Sequence, residues 1–151
     1  MSNLEHDILK ILSKNDIEYK VYEHRAVYTC ADMASALNVR ESSVLKSLVL
    51  TTDEGDVFVL IIPGDKKFVH DRVARLVRTK QLHFVNPREV KELIGCEVGC
   101  IPPFGHLNPL KVYLSRDVIR KKRVFFNPGI HTKTIEIEPK CLVKLCDPVL
   151  I

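Results

Sequence analysis

Apolar positions change their spacing several times along the chain, and each change marks an element. Leu4, Ile8, Ile11 and Leu12 fall on one helical face, with Ser2 and Glu5 as a capping box before them and Asn15-Asp16 as the stop. Ile17, Tyr19 and Val21 then alternate with Glu18, Lys20 and Tyr22, a half-buried strand that ends near Glu23-His24. Thr29 is placed to cap a helix through Met33, Ala34 and Leu37 that closes at Asn38. The runs Val44 to Leu50 and Val57 to Ile62 flank a turn at Asp53-Glu54-Gly55-Asp56 and form a hairpin in the middle of a sheet.

Further on, a short helix through Val73, Leu76 and Val77 leads to a strand at Leu82 to Val85. Asn86-Pro87-Arg88-Glu89 combines an N-cap, an N1 proline and a capping glutamate, and Gly95 ends that helix. Strands follow at Lys111 to Leu114, Arg123 to Phe126 and Thr134 to Ile137. A turn or helix is expected near Asp117, and a last helix opens at Pro139 and carries Leu142 and Leu145. Strands joined by short turns, with helices between some of them, predict a single α+β domain over residues 1–151. Its sheet should be curved and mixed or antiparallel, flanked by helices; a doubly wound parallel sheet is the alternative.

Two stretches depart from this regularity. Lys46 is a charge inside an otherwise aliphatic run, on one strand face with Val44, Leu48 and Leu50. An unpaired ammonium is costly to bury, so Lys46 either stands at the mouth of a cleft or snorkels to solvent over its apolar neighbours. The second stretch, Gly99 to Pro109, holds two glycines and three prolines and excludes both helix and interior strand. Its free amides suit a carboxylate, phosphate or ester oxygen, although a surface loop stiffened by proline has the same composition.

Composition narrows the chemistry. Hydrophobic residues are 46% and charged residues 28% of the 151, enough to bury a core without staples. The N-terminus has no basic start or long apolar core, and no run approaches membrane-spanning length, so a cytoplasmic protein without membrane contact is expected. Net charge is +4, with basic clusters at Lys66-Lys67, Arg72 to Lys80 and Arg120 to Arg123, which suit a polyanion or an ordinary solvated face.

Five cysteines, Cys30, Cys96, Cys100, Cys141 and Cys146, lack disulfide or C-x-x-C spacing. The last four could bind zinc through thiolates, though buried thiols acting as small hydrophobes match the loose spacing better. The histidines show no metal-site spacing, but His24, His106 and His131 lie beside loops that border strands, where site residues gather. A Cys nucleophile, Cys30 or Cys100, paired with a histidine is a further reading without local support. Neither a P-loop nor a dinucleotide fingerprint is present.

Taken in order, Tyr22-Glu23-His24 with Thr29-Cys30-Ala31, the V-L-K-S-L-V-L run around Lys46, the P-G-D-K-K turn at Pro63 to Lys67, and G-x-x-x-P-F-G at Gly99 to Gly105 resemble the YbaK/EbsC family. This group includes the editing insertion domain of bacterial prolyl-tRNA synthetases, and the match runs from about Tyr19 to the strand after Gly129. The resemblance implies an aminoacyl-tRNA deacylase acting in trans on mischarged tRNA, probed at its acceptor end, with prolyl-tRNA synthetase as a partner and no metal or organic cofactor.

The resemblance also implies a site. Lys46 is its central residue, and the loop that includes Gly99, Cys100, Ile101, Pro103, Phe104 and Gly105 holds the aminoacyl-ribose end. Tyr22, His24, Thr29, Gly129, His131 and Thr134 complete the expected substrate-binding set. Cysteine-clearing relatives carry a second glycine and a hydroxyl residue where Cys100 and Pro102 stand, and an aspartate where Thr134 aligns. Removal of another small amino acid, such as alanine or serine, is therefore as well supported as removal of cysteine. A non-catalytic module that binds aminoacyl-tRNA or a synthetase is the second reading, to be told apart by binding without turnover.

Overall fold

The computed structural model describes residues 3–104 and 110–151. Its elements are α1 (Asn3–Lys14), β1 (Lys20–Glu23), α2 (Cys30–Leu37), β2 (Leu45–Thr52), β3 (Val57–Pro63), α3 (His70–Leu76), β4 (Leu82–Phe84), α4 (Pro87–Ile94), β5 (Lys111–Leu114), α5 (Arg116–Ile119), β6 (Val124–Phe126), β7 (Lys133–Ile137), α6 (Lys140–Cys146) and β8 (Val149–Leu150). The chain is an α+β domain with sheet flanked by helices, as its patterning predicts, but the strands divide into two sheets, one mixed and one antiparallel, rather than one.

The larger sheet has the order β4-β2-β3-β5-β8, and the smaller the order β1-β7-β6. β2 and β3 form the expected central hairpin, in register from Leu45 opposite Pro63 to Thr51 opposite Val57. β5 joins β3 in parallel and β8 joins β5 in parallel, so the large sheet is mixed. The small sheet is antiparallel throughout. A single parallel bridge between Val44 and Phe125 connects the two.

Residues from both sheets and from α1 and α6 share the main core, which includes Ile8, Leu12, Ile61, Leu114, Phe126, Ile135 and Leu142. Removing such side chains from water is the principal stabilising term. The other face of the large sheet packs Leu50, Phe58, Leu60 and Ile62 against Val73 and Ala74 of α3. Strand alternation explains both layers, because odd positions of β3 face one core and even positions the other.

Caps fall where the sequence places them. The Thr29 side chain accepts from Asp32 N at 3.0 Å, and Asn86 Oδ1 accepts from Glu89 N at 2.9 Å. Gly95 closes α4 at φ 88°. Two expectations change. Val21 is exposed, because the regular strand begins only at Lys20 and Tyr22 is the residue turned inward. Glu5 is buried at 1% exposure, and its Oε1 accepts from Lys133 Nζ at 2.8 Å, so this carboxylate tethers α1 to β7. The Ser2 half of the expected capping box lies outside the described residues. The 3-10 turn at Glu41–Ser43 and the two-residue β8 carry no legible period.

Candidate functional site

β4 pairs with β2 only from Leu50 to Thr52, and the small sheet meets the chain ahead of β2 at Val44. Between these points the outer edge of β2 has no neighbouring strand among the described residues, and a cleft of about 370 Å³ opens there. Its walls come from the segment leading into α2, the start of β2, Gly64, the Val98–Ile101 loop and Asn127.

Lys46 lines this cleft. Its stem runs along the β2 face opposite Ile62, and Nζ donates to the Lys66 carbonyl at 2.9 Å, beyond the end of β3. The two readings of its sequence position therefore merge. The aliphatic part covers an apolar strand and the ammonium is held by a backbone oxygen at the cleft.

The walls are set by close backbone packing. Gly64 N donates to Val44 O at 2.7 Å, and a Cβ there would lie 2.8 Å from Cys30 Cβ and from Glu41 O. Only glycine lets α2 approach the central hairpin so closely. Gly99 has φ +95° and lies against the Tyr28 carbonyl, where an added Cβ would stand at 3.0 Å. The Gly99 loop is thereby drawn over the α2 leader, and Tyr28 and Val98 remain exposed at the rim.

Of the residues expected to bind substrate, Lys46, Thr29, Gly99 and Ile101 meet at this cleft. Tyr22, His24 and Thr134 do not line it, because their polar atoms are engaged within the small sheet. The Tyr22 hydroxyl donates to Glu136 Oε1 at 2.7 Å, and Arg123 Nε donates to Glu136 Oε2 at 2.7 Å. Burial pushes the Glu136 carboxyl up, but the hydrogen bonds from Tyr22 and Arg123 outweigh it and hold the group below the ordinary carboxylate range. His24 Nδ1 lies 2.7 Å from Arg25 O, and its Nε2 lies 2.7 Å from the hydroxyl of the fully buried Thr134.

The proline-rich loop also divides. Phe104 is core and packs edge-on to Phe126 at 5.3 Å, while Pro103 is buried and its carbonyl lies 3.3 Å from Cys146 Sγ. Cys100 N donates to Glu97 O at 3.0 Å, which removes one of the amides expected to be free. Gly129 turns over Leu4 rather than into the cleft. Gly105 and His106 lie outside the described residues.

His131 sits behind the rim. One ring nitrogen, Nδ1, is 2.9 Å from Val27 O, and Nε2 is 3.0 Å from Glu97 Oε2. Tyr28 packs on its ring at 4.4 Å. Cys100 Sγ is 3.0 and 3.2 Å from the two ring nitrogens, almost equidistant, so it does not lie along the lone pair of either. Burial, with the nearby Glu97 charge, pushes the Cys100 thiol up to about 12. Burial likewise raises the Cys30 thiol, against the pull of Lys46. Neither cysteine is an activated nucleophile. Among the described residues no group of three or more His, Cys, Asp or Glu could hold a metal ion.

Sequence reasoning missed Tyr28, Ser47, Gly64, Val98 and Asn127 as cleft residues. Asn127 and Gly64 were readable only as turn residues, and nothing in a single strand pattern marks Ser47 as facing an open edge.

The family model of the aminoacyl-tRNA editing domain matches residues 24–145, and the chain belongs to this family. It is similar to the crystal structure of a protein described as a proposed trans-editing enzyme for prolyl tRNA synthetase. That likeness has a TM-score of 0.87 and 27% identity, and covers 100% of this chain and 96% of the other. A proline–tRNA ligase of Verminephrobacter eiseniae is 36% identical over 100 residues, and one of Azoarcus sp. is 32% identical over 100 residues. Each match covers 60% of this chain but only 17% of the ligase, so the similarity concerns one portion of those enzymes.

Proposed function

We propose that the Lys46 cleft takes the aminoacyl end of proline tRNA carrying a wrong small amino acid, such as alanine, cysteine or serine, and that water hydrolyses the ester there. The carrying observation is Lys46, which lines a largely apolar cleft that the Gly99 loop borders and whose ammonium donates to Lys66 O at 2.9 Å. An aminoacyl ester is already activated, so catalysis reduces to placing water and stabilising charge on the carbonyl oxygen. Water oxygen bonds to the carbonyl carbon, the carbon–oxygen bond to the ribose breaks, and the ribose hydroxyl leaves with a proton. Lys46 supplies a positive hydrogen-bond donor for the ester, and the Gly99 N–H, which has no protein partner among the described residues, supplies a second. Tyr28, 61% exposed at the rim, offers a face on which the terminal base stacks.

The acceptor stem carries phosphates past the rim, and Lys66 leads from the cleft into a basic groove. Lys66, Lys67, Arg72, Arg116 and Arg120 border a hollow of about 540 Å³ on that side, with Asp117 paired to Arg120. Arg123 is not part of it, because Glu136 holds that guanidinium. The similarity to proline–tRNA ligases supports proline tRNA as the substrate and prolyl-tRNA synthetase as a working partner.

The test is a panel of proline and alanine tRNAs charged with Ala, Ser, Cys, Thr or Pro and assayed for ester loss. Hydrolysis of a mischarged proline tRNA, sparing prolyl-tRNA, is the expected result; intact esters throughout would refute it. Lys66→Ala keeps the carbonyl that anchors Lys46. Binding measured against salt should then lose about one unit of log–log slope, whereas an unchanged slope removes the groove from the interface.

A further inference from the structure

We infer that the open edge of β2 holds the amino-acid main chain of the ester as one residue of an antiparallel strand, with Ser47 C=O accepting from the α-amine and Ser47 N–H donating to the acyl carbonyl. The inference rests on the deacylase reading and deepens it by adding main-chain groups to the site.

Register fixes which way each main-chain group of β2 points. In an antiparallel pair, alternate residues turn their N–H and C=O toward the same neighbour. Gly64 N donates to Val44 O at 2.7 Å and Thr52 N to Asp56 O at 3.0 Å, so even positions face the β3 side. Odd positions face the other edge, where Val85 N donates to Val49 O at 3.1 Å and Thr51 pairs with His83. Ser47 shares that parity. This edge looks into the cleft, since Leu45 O stands 3.8 Å from the Sγ of Cys30, a residue of the cleft wall. Ser47 lines the cleft and is half-buried, yet its Oγ is wholly buried, so the surface it shows belongs to its main chain and Cβ. Lys46, at an even position, turns its N–H and C=O to β3 and reaches the cleft by its side chain alone.

The open stretch is one residue long. Val44 meets Phe125 at one end, Val49 O is taken by Val85 at the other, and Leu45 O faces Cys30. Between them only Ser47 offers both an unpaired donor and an unpaired acceptor among the described residues. An added peptide strand needs several such residues in succession, whereas an aminoacyl group needs one. The aminoacyl group carries the same nitrogen, α-carbon and carbonyl sequence as a residue of a strand. Its amine, neutral or protonated, has an N–H to give, and its carbonyl oxygen accepts. Paired with Ser47, these groups exchange two hydrogen bonds as two opposed strand residues do. The carbonyl oxygen thereby gains a donor fixed in the sheet, in place before charge develops on it as water adds. These bonds are common to every α-amino acid, so they hold the reacting ester without selecting among amino acids.

The experiment uses proline tRNA acylated with alanine or with propionate, which is alanine without its amine. Each enzymatic rate is divided by the spontaneous hydrolysis of the same ester, because the amine also activates the ester. Wild type should accelerate the alanyl ester about 10–100-fold more than the propionyl ester. Two backbone variants then locate the bonds. Replacing Ser47 by its α-hydroxy acid counterpart exchanges the N–H for an oxygen and should lower kcat about tenfold or more on both esters, since both keep the carbonyl. Replacing Leu48 in the same way turns the Ser47 carbonyl into that of an ester, a poorer acceptor, and should slow the alanyl ester selectively. The propionyl rate is the internal control there, because a merely loosened β2–β3 hairpin slows both esters alike. Equal acceleration of the two esters by wild type, a Ser47 variant at wild-type rate, or equal slowing of both esters in the Leu48 variant would overturn the inference. Absence of hydrolysis on every charged tRNA of the panel would instead strike the proposed function itself.

Discussion

Two polar clusters lie at opposite conditions of satisfaction in this molecule. On the small sheet, Glu136 is 7% exposed and both its oxygens are bonded, to Tyr22 and to Arg123. Beside the cleft, Lys46 has one backbone partner, while the buried Ser47 Oγ and Asn127 Nδ2 have none among the described residues. The first arrangement has spent its hydrogen-bonding capacity on the fold. The second leaves polar atoms unpaired, at a cost to stability. Charge alone does not separate them, since both contain a cation on or next to a strand; completeness of pairing does.

The largest expected effect breaks the second cluster. Lys46→Ala should lower deacylation of a mischarged tRNA by about 100-fold, the scale of losing one preorganised donor to a developing oxyanion. The melting temperature should barely move, because the ammonium meets only a carbonyl that water can also serve. A variant that keeps wild-type rate would place the chemistry elsewhere.

The converse holds for the first cluster. Glu136→Gln should destabilise the fold by about 2 kcal/mol in urea titration, because the buried carboxylate pairs with Arg123, while the folded fraction keeps its rate. The pH dependence follows from the same bonds. The folded carboxyl is held below its unfolded value, so its contribution is fully present above the unfolded pKa and is lost as pH falls through the folded one. Glu136→Gln should therefore flatten the acid limb of the stability profile. An unaltered acid limb would mean that the Tyr22 and Arg123 bonds do not persist in solution.

Between these clusters lies the boundary of what the sequence discloses. Helix caps at Thr29, Asn86 and Gly95 and the central hairpin are legible because each depends on neighbours within a few residues. The division into two sheets is not, since it rests on β1 pairing with β7, where Lys20 lies opposite Glu136, 116 positions away. The same distance dependence limits the site. Lys46 and Gly99 stand out locally as a charge in an aliphatic run and a glycine in a proline-rich loop. Tyr22 and Thr134 look equally polar in sequence, yet their partners are Glu136 and His24, and pairing across strands carries no local signal. Ser47 and Asn127 are the reverse case. That each has a buried atom without a partner among the described residues becomes visible only when the surrounding atoms are in place.

The smallest expected effect sharpens the comparison at its most misleading point. Cys100, His131 and Glu97 stand in the order of a nucleophile, base and orienting acid, with His131 Nε2 3.0 Å from Glu97 Oε2. The geometry opposes that role. Both ring nitrogens already face oxygens, of Val27 and Glu97, and the sulfur stands nearly equidistant from them. With its pKa pushed up to about 12 by burial and by the Glu97 charge, the thiol stays protonated at neutral pH. Cys100→Ala should therefore leave deacylation within about twofold of wild type, since no covalent step is lost. It should cost about 1 kcal/mol of stability from the small cavity behind the Gly99 loop. A rate loss comparable to that of Lys46→Ala would mean that the thiol attacks the ester, and a trapped acyl-enzyme on the wild-type protein would show it directly. The loop's contribution is then one of placement: the Cys100 and His131 packing holds Gly99 against Tyr28, and the cleft keeps the shape that Lys46 needs.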